Sequence, residues 1–145
     1  MLKATSHSRI FVPDQDQALD FYVGKIGMEV SADVDMEVMR WLTVNVPGDE
    51  HHILLEKPGG PYMDDDTAEV ITELIGKGML GMAVLTTDDC RRDYEELSAK
   101  GVEFTEEPTE RFYGIDCGFR DPFGNGIRMT QLAPDPIELP DKASM

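Results

Sequence analysis

Two arginines stand out in a chain of 145 residues with a formal net charge of −16. Arg9 alternates with His7 and Phe11 on one face of a strand-like run, and Arg128 lies on a second such run after the turn at residues 121–125. A guanidinium presents a planar fork of donors, so either arginine could hold a carboxylate or a phosphate through paired hydrogen bonds. The same charges admit an internal solution, Arg9 with Glu56 and Arg128 with Asp116, with no ligand involved. His52, Leu54 and Glu56 share one face of another strand, and the adjacent His51 must face the other way. Trp41, the only tryptophan, and Phe112 or Tyr113 add aromatic surface; such side chains are more often core than ligand-stacking. His7 and Glu56 are the candidates for acid–base work. Other chemistry is thin. Cys90 falls on a helix and Cys117 shares parity with Phe119, so both read as small core residues. The run Asp64-Asp65-Asp66 reads as the solvated start of a helix.

Composition bounds the partners. The length suits one domain or two very small modules sharing a core, and 41% hydrophobic residues can build that core. The acidity argues against nucleic acid and against an anionic membrane surface, both of which call for a cationic face. No window approaches the ~18 apolar residues of a membrane span. The first residues lack the apolar core of a signal peptide. The two cysteines form no C-x-x-C pair and read as reduced thiols, so the expected location is the cytoplasm.

Periodicity and punctuation indicate the strands and helices that carry these side chains. A strand over residues 5–12 stops at Pro13, and Asp14 caps a helix over 15–23 with Ala18, Phe21 and Tyr22 buried. Strands are expected over 28–34, 39–46 and 51–56. Residues 58–78 read as a linker with a helix whose apolar face is Val70, Ile71, Leu74 and Ile75. A strand over 80–86 follows, with Ala83 and Leu85 on the face that matches His7 and Arg9. Asp88 then caps a helix that runs to Lys100. Further strands begin at Val102, bounded by Pro108, and cover 113–119 and 126–132. Asp14 and Gly27 are separated as Asp88 and Gly101 are, and His7 precedes Asp14 as Gly81 precedes Asp88, an offset of 74. That spacing points to one β-α-β-β-β unit used twice.

Three segments carry a resemblance. The first is Val12-Pro13-Asp14 with Ala18, Phe21-Tyr22 and Gly27-Met28. The second is its echo from Thr86-Thr87-Asp88 through Leu97 to Gly101-Val102, and the third is Asp121-Pro122-Phe123-Gly124-Asn125. In order and spacing they resemble the vicinal-oxygen-chelate superfamily of glyoxalases, bleomycin resistance proteins and extradiol dioxygenases. The resemblance implies an α+β fold of two tandem β-α-β-β-β modules forming a cupped mixed sheet. The expected boundaries are 1–57 and 79–132 for the modules, 58–78 for the linker and 133–145 for an extended tail. It further implies a homodimer.

Superfamily metalloenzymes place ligands near four strands. The resemblance puts these positions at His7, Glu56, Gly81 and Arg128; the first two are competent donors, a glycine has none, and a guanidinium cannot deprotonate. A divalent site of this kind takes about three protein donors or more. The expectation is therefore a domain without the superfamily's metal and with no cofactor. It would bind a small organic molecule, an anion among the candidates, through His7, Arg9, Trp41, His52, Glu56, Tyr113, Asp116 and Arg128, in the manner of bleomycin-resistance binders. The alternative is a lyase, isomerase or dioxygenase-like enzyme. It would use His7 and Glu56, either with a rebuilt Zn, Ni, Mn or Fe site at His7, His52 and Glu56 or without metal. A third reading is a regulatory subunit whose cup is vestigial.

Overall fold

A computed structural model of the chain describes residues 1–135. The expected tail lies from residue 136 outside the described residues. The described residues are α+β and form two four-stranded sheets and three helices. The first sheet is ordered β1-β4-β3-β2, from β1 (His7–Phe11), β2 (Glu29–Asp35), β3 (Arg40–Asn45) and β4 (His52–Glu56). The second is ordered β5-β8-β7-β6, from β5 (Met82–Thr86), β6 (Glu103–Arg111), β7 (Gly114–Arg120) and β8 (Gly126–Leu132). The helices are α1 (Gln15–Tyr22), α2 (Asp65–Gly76) and α3 (Cys90–Ala99). The chain divides into two compact units, residues 1–82 with 121–125, and residues 83–120 with the chain from Gly126.

In the first unit β1 runs parallel to β4, with His7 opposite His52 and Phe11 opposite Glu56. The other pairs of this sheet are antiparallel. Asp14 caps α1 by accepting the Gln17 N–H at 2.9 Å. The helix buries Ala18, Phe21 and Tyr22, the three expected positions, and Ile10, Leu42, Val44 and Leu55 of the sheet are buried too, as is Val12 just after β1. Each large apolar side chain so removed from water contributes about 1.5–3 kcal/mol before its entropy cost. The 121–125 turn belongs to this unit. Asp121 Oδ1 accepts the N–H groups of Phe123, Gly124 and Asn125 at 2.9–3.0 Å. Its Oδ2 accepts from the Tyr22 hydroxyl at 2.8 Å and from Asn125 Nδ2 at 2.7 Å. The buried Tyr22 phenol is thereby held protonated: burial and then the Asp121 charge push its pKa upward.

The expected apolar face of α2 is only partly used: Ile75 is fully buried, Val70 is exposed, and Ile71 and Leu74 are half-buried. In the second unit α3 packs behind its sheet over Cys117, Phe119, Ile127 and Met129, all buried. Cys90 and Cys117 are buried with sulfurs 3.6 Å apart, and burial, the larger cause, pushes the Cys117 thiol up to about 12.

Two expectations fail here for identifiable reasons. Strand β6 runs straight through Pro108, because it is an edge strand and an edge N–H has no ladder partner to lose. Irregular register on either side of Glu106 accommodates the interruption. The second error is one residue wide. Asp89, not Asp88, caps α3, accepting the Arg92 N–H at 3.0 Å. Thr87 interposes a turn: its hydroxyl bonds Asp93 and accepts the Asp89 N–H. The strand openings His7 and Met82 and the caps Asp14 and Asp89 are therefore both separated by 75. A one-residue slip exchanges the faces of a strand. Met82, Val84 and Thr86, all exposed, match His7, Arg9 and Phe11, while Ala83 and Leu85 take the opposite face.

Candidate functional site

In the first unit the parallel register of β1 and β4 brings two imidazoles together. His7 and His52 stack with centroids 5.0 Å apart, and Trp41 on β3 tilts against His7 at 6.0 Å. His52 Nδ1 lies 2.8 Å from the Ser31 hydroxyl, which lies 2.7 Å from that of Thr43. These hydroxyls fix the ring of His52, while His7 has Ser6 Oγ at 2.9 Å. His51, as alternation requires, contacts Ser8 instead.

At the other end of the same strands Arg9 Nη1 donates to Glu56 Oε2 at 3.2 Å, and its guanidinium lies 4.1 Å over the Phe11 ring. A cleft of about 450 Å³ opens beside this pair. One wall is the tip of the β2–β3 hairpin, where Glu37 takes φ 68, the only non-glycine residue with positive φ among the described residues. The other wall is the loop from Lys57 to Met63, including the glycines Gly59 and Gly60. Arg40 forms part of the lining, but Asp33 and Asp16 hold it from behind at 2.7–2.9 Å.

In the second unit Arg128, Asp116 and Tyr113 are brought together, with two residues that the sequence did not nominate. Asp116 is opposite Thr130 and Gly118 opposite Arg128 across β7 and β8. Arg128 Nη2 donates to Asp116 Oδ2 at 2.8 Å and its Nη1 to Glu106 Oε2 at 3.2 Å. The Tyr113 hydroxyl donates to Asp116 Oδ2 at 2.7 Å. Arg111 bonds Glu106 and lies 3.6 Å from Asp116 Oδ1. Gly118 leaves the necessary space, since a Cβ there would stand 3.0 Å from Arg128 Nη1. Burial alone would push the Asp116 carboxyl upward, yet it is held below its ordinary value by the Tyr113 hydrogen bond and by Arg128 and Arg111. Glu106 is lowered by Arg111 and then Arg128. Ending the strand at Pro108 leaves out Arg111, whereas Glu106 falls inside that strand and reaches the cluster only because the register shifts between Phe104 and Glu106, which simple alternation does not foresee.

Both internal ion pairs weighed from the sequence, Arg9 with Glu56 and Arg128 with Asp116, are present. The superfamily's divalent site does not fit these residues. Among the described residues no group of three or more His, Cys, Asp or Glu could hold a metal ion. Glu56 is turned to Arg9, and Arg128 fills its own position with a cation. Gly81 is also not the vacant ligand position. Its φ is +75 and a Cβ would stand 2.0 Å from Asn125 Oδ1, so the backbone demands glycine there. The counterpart of His7 is Met82. The hydrogen bonds from Val12 N to Glu56 O and from Thr87 N to Thr130 O, at 2.9 and 3.0 Å, occupy the same place in their units. Glu56 thus corresponds to Thr130, and Arg128 to Leu54, a buried side chain without a donor atom.

No helix among the described residues is long and apolar enough to cross a membrane. The model of the Glyoxalase/Bleomycin resistance protein/Dioxygenase superfamily matches residues 4–129. The chain is 36% identical over 124 residues to the uncharacterised protein YurT of Bacillus subtilis (strain 168), covering 84% of this chain and 94% of YurT. It is similar to the crystal structure of UcmS2, with 39% identity, a TM-score of 0.84 and coverage of 90% and 98% of the two chains. It is also similar to TnmS3, an antibiotic binding protein from Streptomyces sp. CB03234, with 29% identity, a TM-score of 0.74 and coverage of 91% and 98%. Matched along most of its length by that model, the chain belongs to the glyoxalase/bleomycin resistance protein/dioxygenase superfamily.

Proposed function

We propose that this protein captures a small organic molecule without using the superfamily's divalent metal, as a homodimer in the cytoplasm. The observation that carries this reading is the fate of the charged positions. Glu56 and Arg128 are each bonded to a partner of opposite charge within their own unit, leaving a polar, partly aromatic surface rather than a set of metal donors. Similarity to an antibiotic binding protein supports the same class of activity. Exposed Val30, Val34, Met82 and Val84 supply apolar surface that a second copy would cover.

The test combines metal analysis of the purified protein with its thermal midpoint across a panel of small organic molecules. Metal-free protein whose midpoint rises with a panel member supports the proposal. Stoichiometric Zn, Ni, Mn or Fe, lost in both His7→Ala and Glu56→Ala, overturns it. Sedimentation at micromolar concentration reads the dimer independently.

A second reading, a metal-free lyase or isomerase, is favoured by one observation. His7 is exposed and stacked on His52, whose ring is held by Ser31, an arrangement able to pass a proton. Turnover lost in His7→Ala with binding retained would select this reading over simple capture.

A further inference from the structure

We propose that the cleft of the first unit takes an amphipathic organic anion, its acidic head on Arg9 and Lys57 and its apolar body on Val38 and Tyr62. This deepens the small-molecule reading above and rests on it. The cleft lies wholly within residues 9–63. Its lining holds Arg9, Arg40 and Lys57 against one carboxylate, Glu56, in a chain with 13 Lys and Arg and 29 Asp and Glu. Against so acidic a background the sign of this lining is the reverse of the whole. Arg40 is wall rather than ligand, because Nε, Nη1 and Nη2 all bond Asp33 or Asp16. Arg9 differs. It commits Nη1 to Glu56, which with Phe11 fixes the plane of the guanidinium, and among the described residues its other nitrogens remain for an anion. Lys57 follows Glu56 directly and adds a second cation to the lining.

The apolar part is presented from both walls. Val38 is 58% exposed and Tyr62 94% exposed, surface that a bound hydrocarbon body would take out of water. Val38 is held out by the hairpin tip. Glu37 keeps its left-handed φ because its N–H donates to Asp35 Oδ1 at 2.9 Å, while Met36 N–H donates to Met39 O at 2.9 Å. On the facing wall Gly60 has φ +88, and a Cβ there would lie 3.7 Å from Val38 O, so loop and tip come within ordinary van der Waals reach of each other. Strained backbone that displays an apolar side chain beside an oriented arginine suits a ligand with two unlike ends.

The matched probes are anilinonaphthalene sulfonate and uncharged N-phenylnaphthylamine, titrated by their own fluorescence. The sulfonate is expected to saturate one site per chain and to bind about tenfold or more tighter than the uncharged probe. Arg9→Gln should abolish that preference, Val38→Asp should weaken both probes, and Arg128→Gln should change neither. Arg9 and Val38 are more than half exposed, so unchanged thermal midpoints will accompany these losses. Equal affinity for the two probes, or wild-type binding by both Arg9→Gln and Val38→Asp, overturns the assignment. Binding lost only in Arg128→Gln overturns it too, while leaving small-molecule capture intact. If neither these probes nor any panel member binds, the parent reading falls with it.

Discussion

The two units put the same chemistry, an arginine facing a carboxylate, in different surroundings. In the first, Arg9 and Glu56 meet at 3.2 Å with their side chains 53% and 24% exposed. In the second, Asp116 is almost completely buried and takes Arg128 and Tyr113 on one oxygen while Arg111 stands near the other. A pair open to water contributes little net stability, because solvent competes for both charges. A buried carboxylate must be matched or it costs several kcal/mol, roughly. The second cluster therefore reads as structure, while the first retains an arginine that a ligand could engage at small cost to the fold.

The sharpest way to break this contrast is to remove the buried member. Asp116→Ala should lose about 3 kcal/mol in urea unfolding, since Arg128 and Tyr113 lose a shared acceptor and Arg111 loses a nearby opposite charge. A loss no larger than that of an exposed pair would erase the distinction between the units. Gly81→Ala comes next, with an expected loss of about 2 kcal/mol from its positive φ and the collision with Asn125. A neutral result would return Gly81 to the status of an empty ligand position.

The pH dependence should follow the buried cluster. The Asp116 carboxyl is lowered in the folded state, so its stabilisation is present above the unfolded value of 3.8 and is lost as pH falls through the lower folded value. Acid unfolding of Asp116→Asn should lack this component below about pH 4. The smallest effect is expected at the exposed pair. Glu56→Gln should change stability by less than about 1 kcal/mol, and the change should shrink further in high salt.

Much of the fold was legible because its signals are local. Asp14, the stripe of Ala18, Phe21 and Tyr22, and the Asp121–Asn125 turn each declare themselves within a few residues, and each is found where expected. The candidate site was legible in part. Alternation on β1 and β4 placed His7 with His52, and Arg9 with Glu56, on shared faces, and the ion pairs considered from the sequence formed. What failed were quantities that neighbours set. The repeat count chose Asp88 because Asp88 and Asp89 are chemically equivalent caps, and only the Thr87 turn selects between them. Pro108 ends a strand only when its missing N–H would have been bonded, which depends on β6 being at an edge.

Periodicity and backbone chemistry are properties of short stretches, so the two β-α-β-β-β units, the cap of α1, the 121–125 turn and the cation at residue 128 could be read from the chain alone. Packing between segments remote in sequence sets which charges meet one another. It brought Glu106 and Arg111 to the Asp116 cluster, turned Glu56 toward Arg9, and made Gly81 a packing requirement rather than a lost ligand. It also assembled the cleft from a hairpin tip and a glycine-containing loop separated along the chain by a whole hairpin. The reason is range: hydrogen bonds and ion pairs act over a few ångströms, and the distances between side chains remote in sequence are fixed only by sheet register and packing.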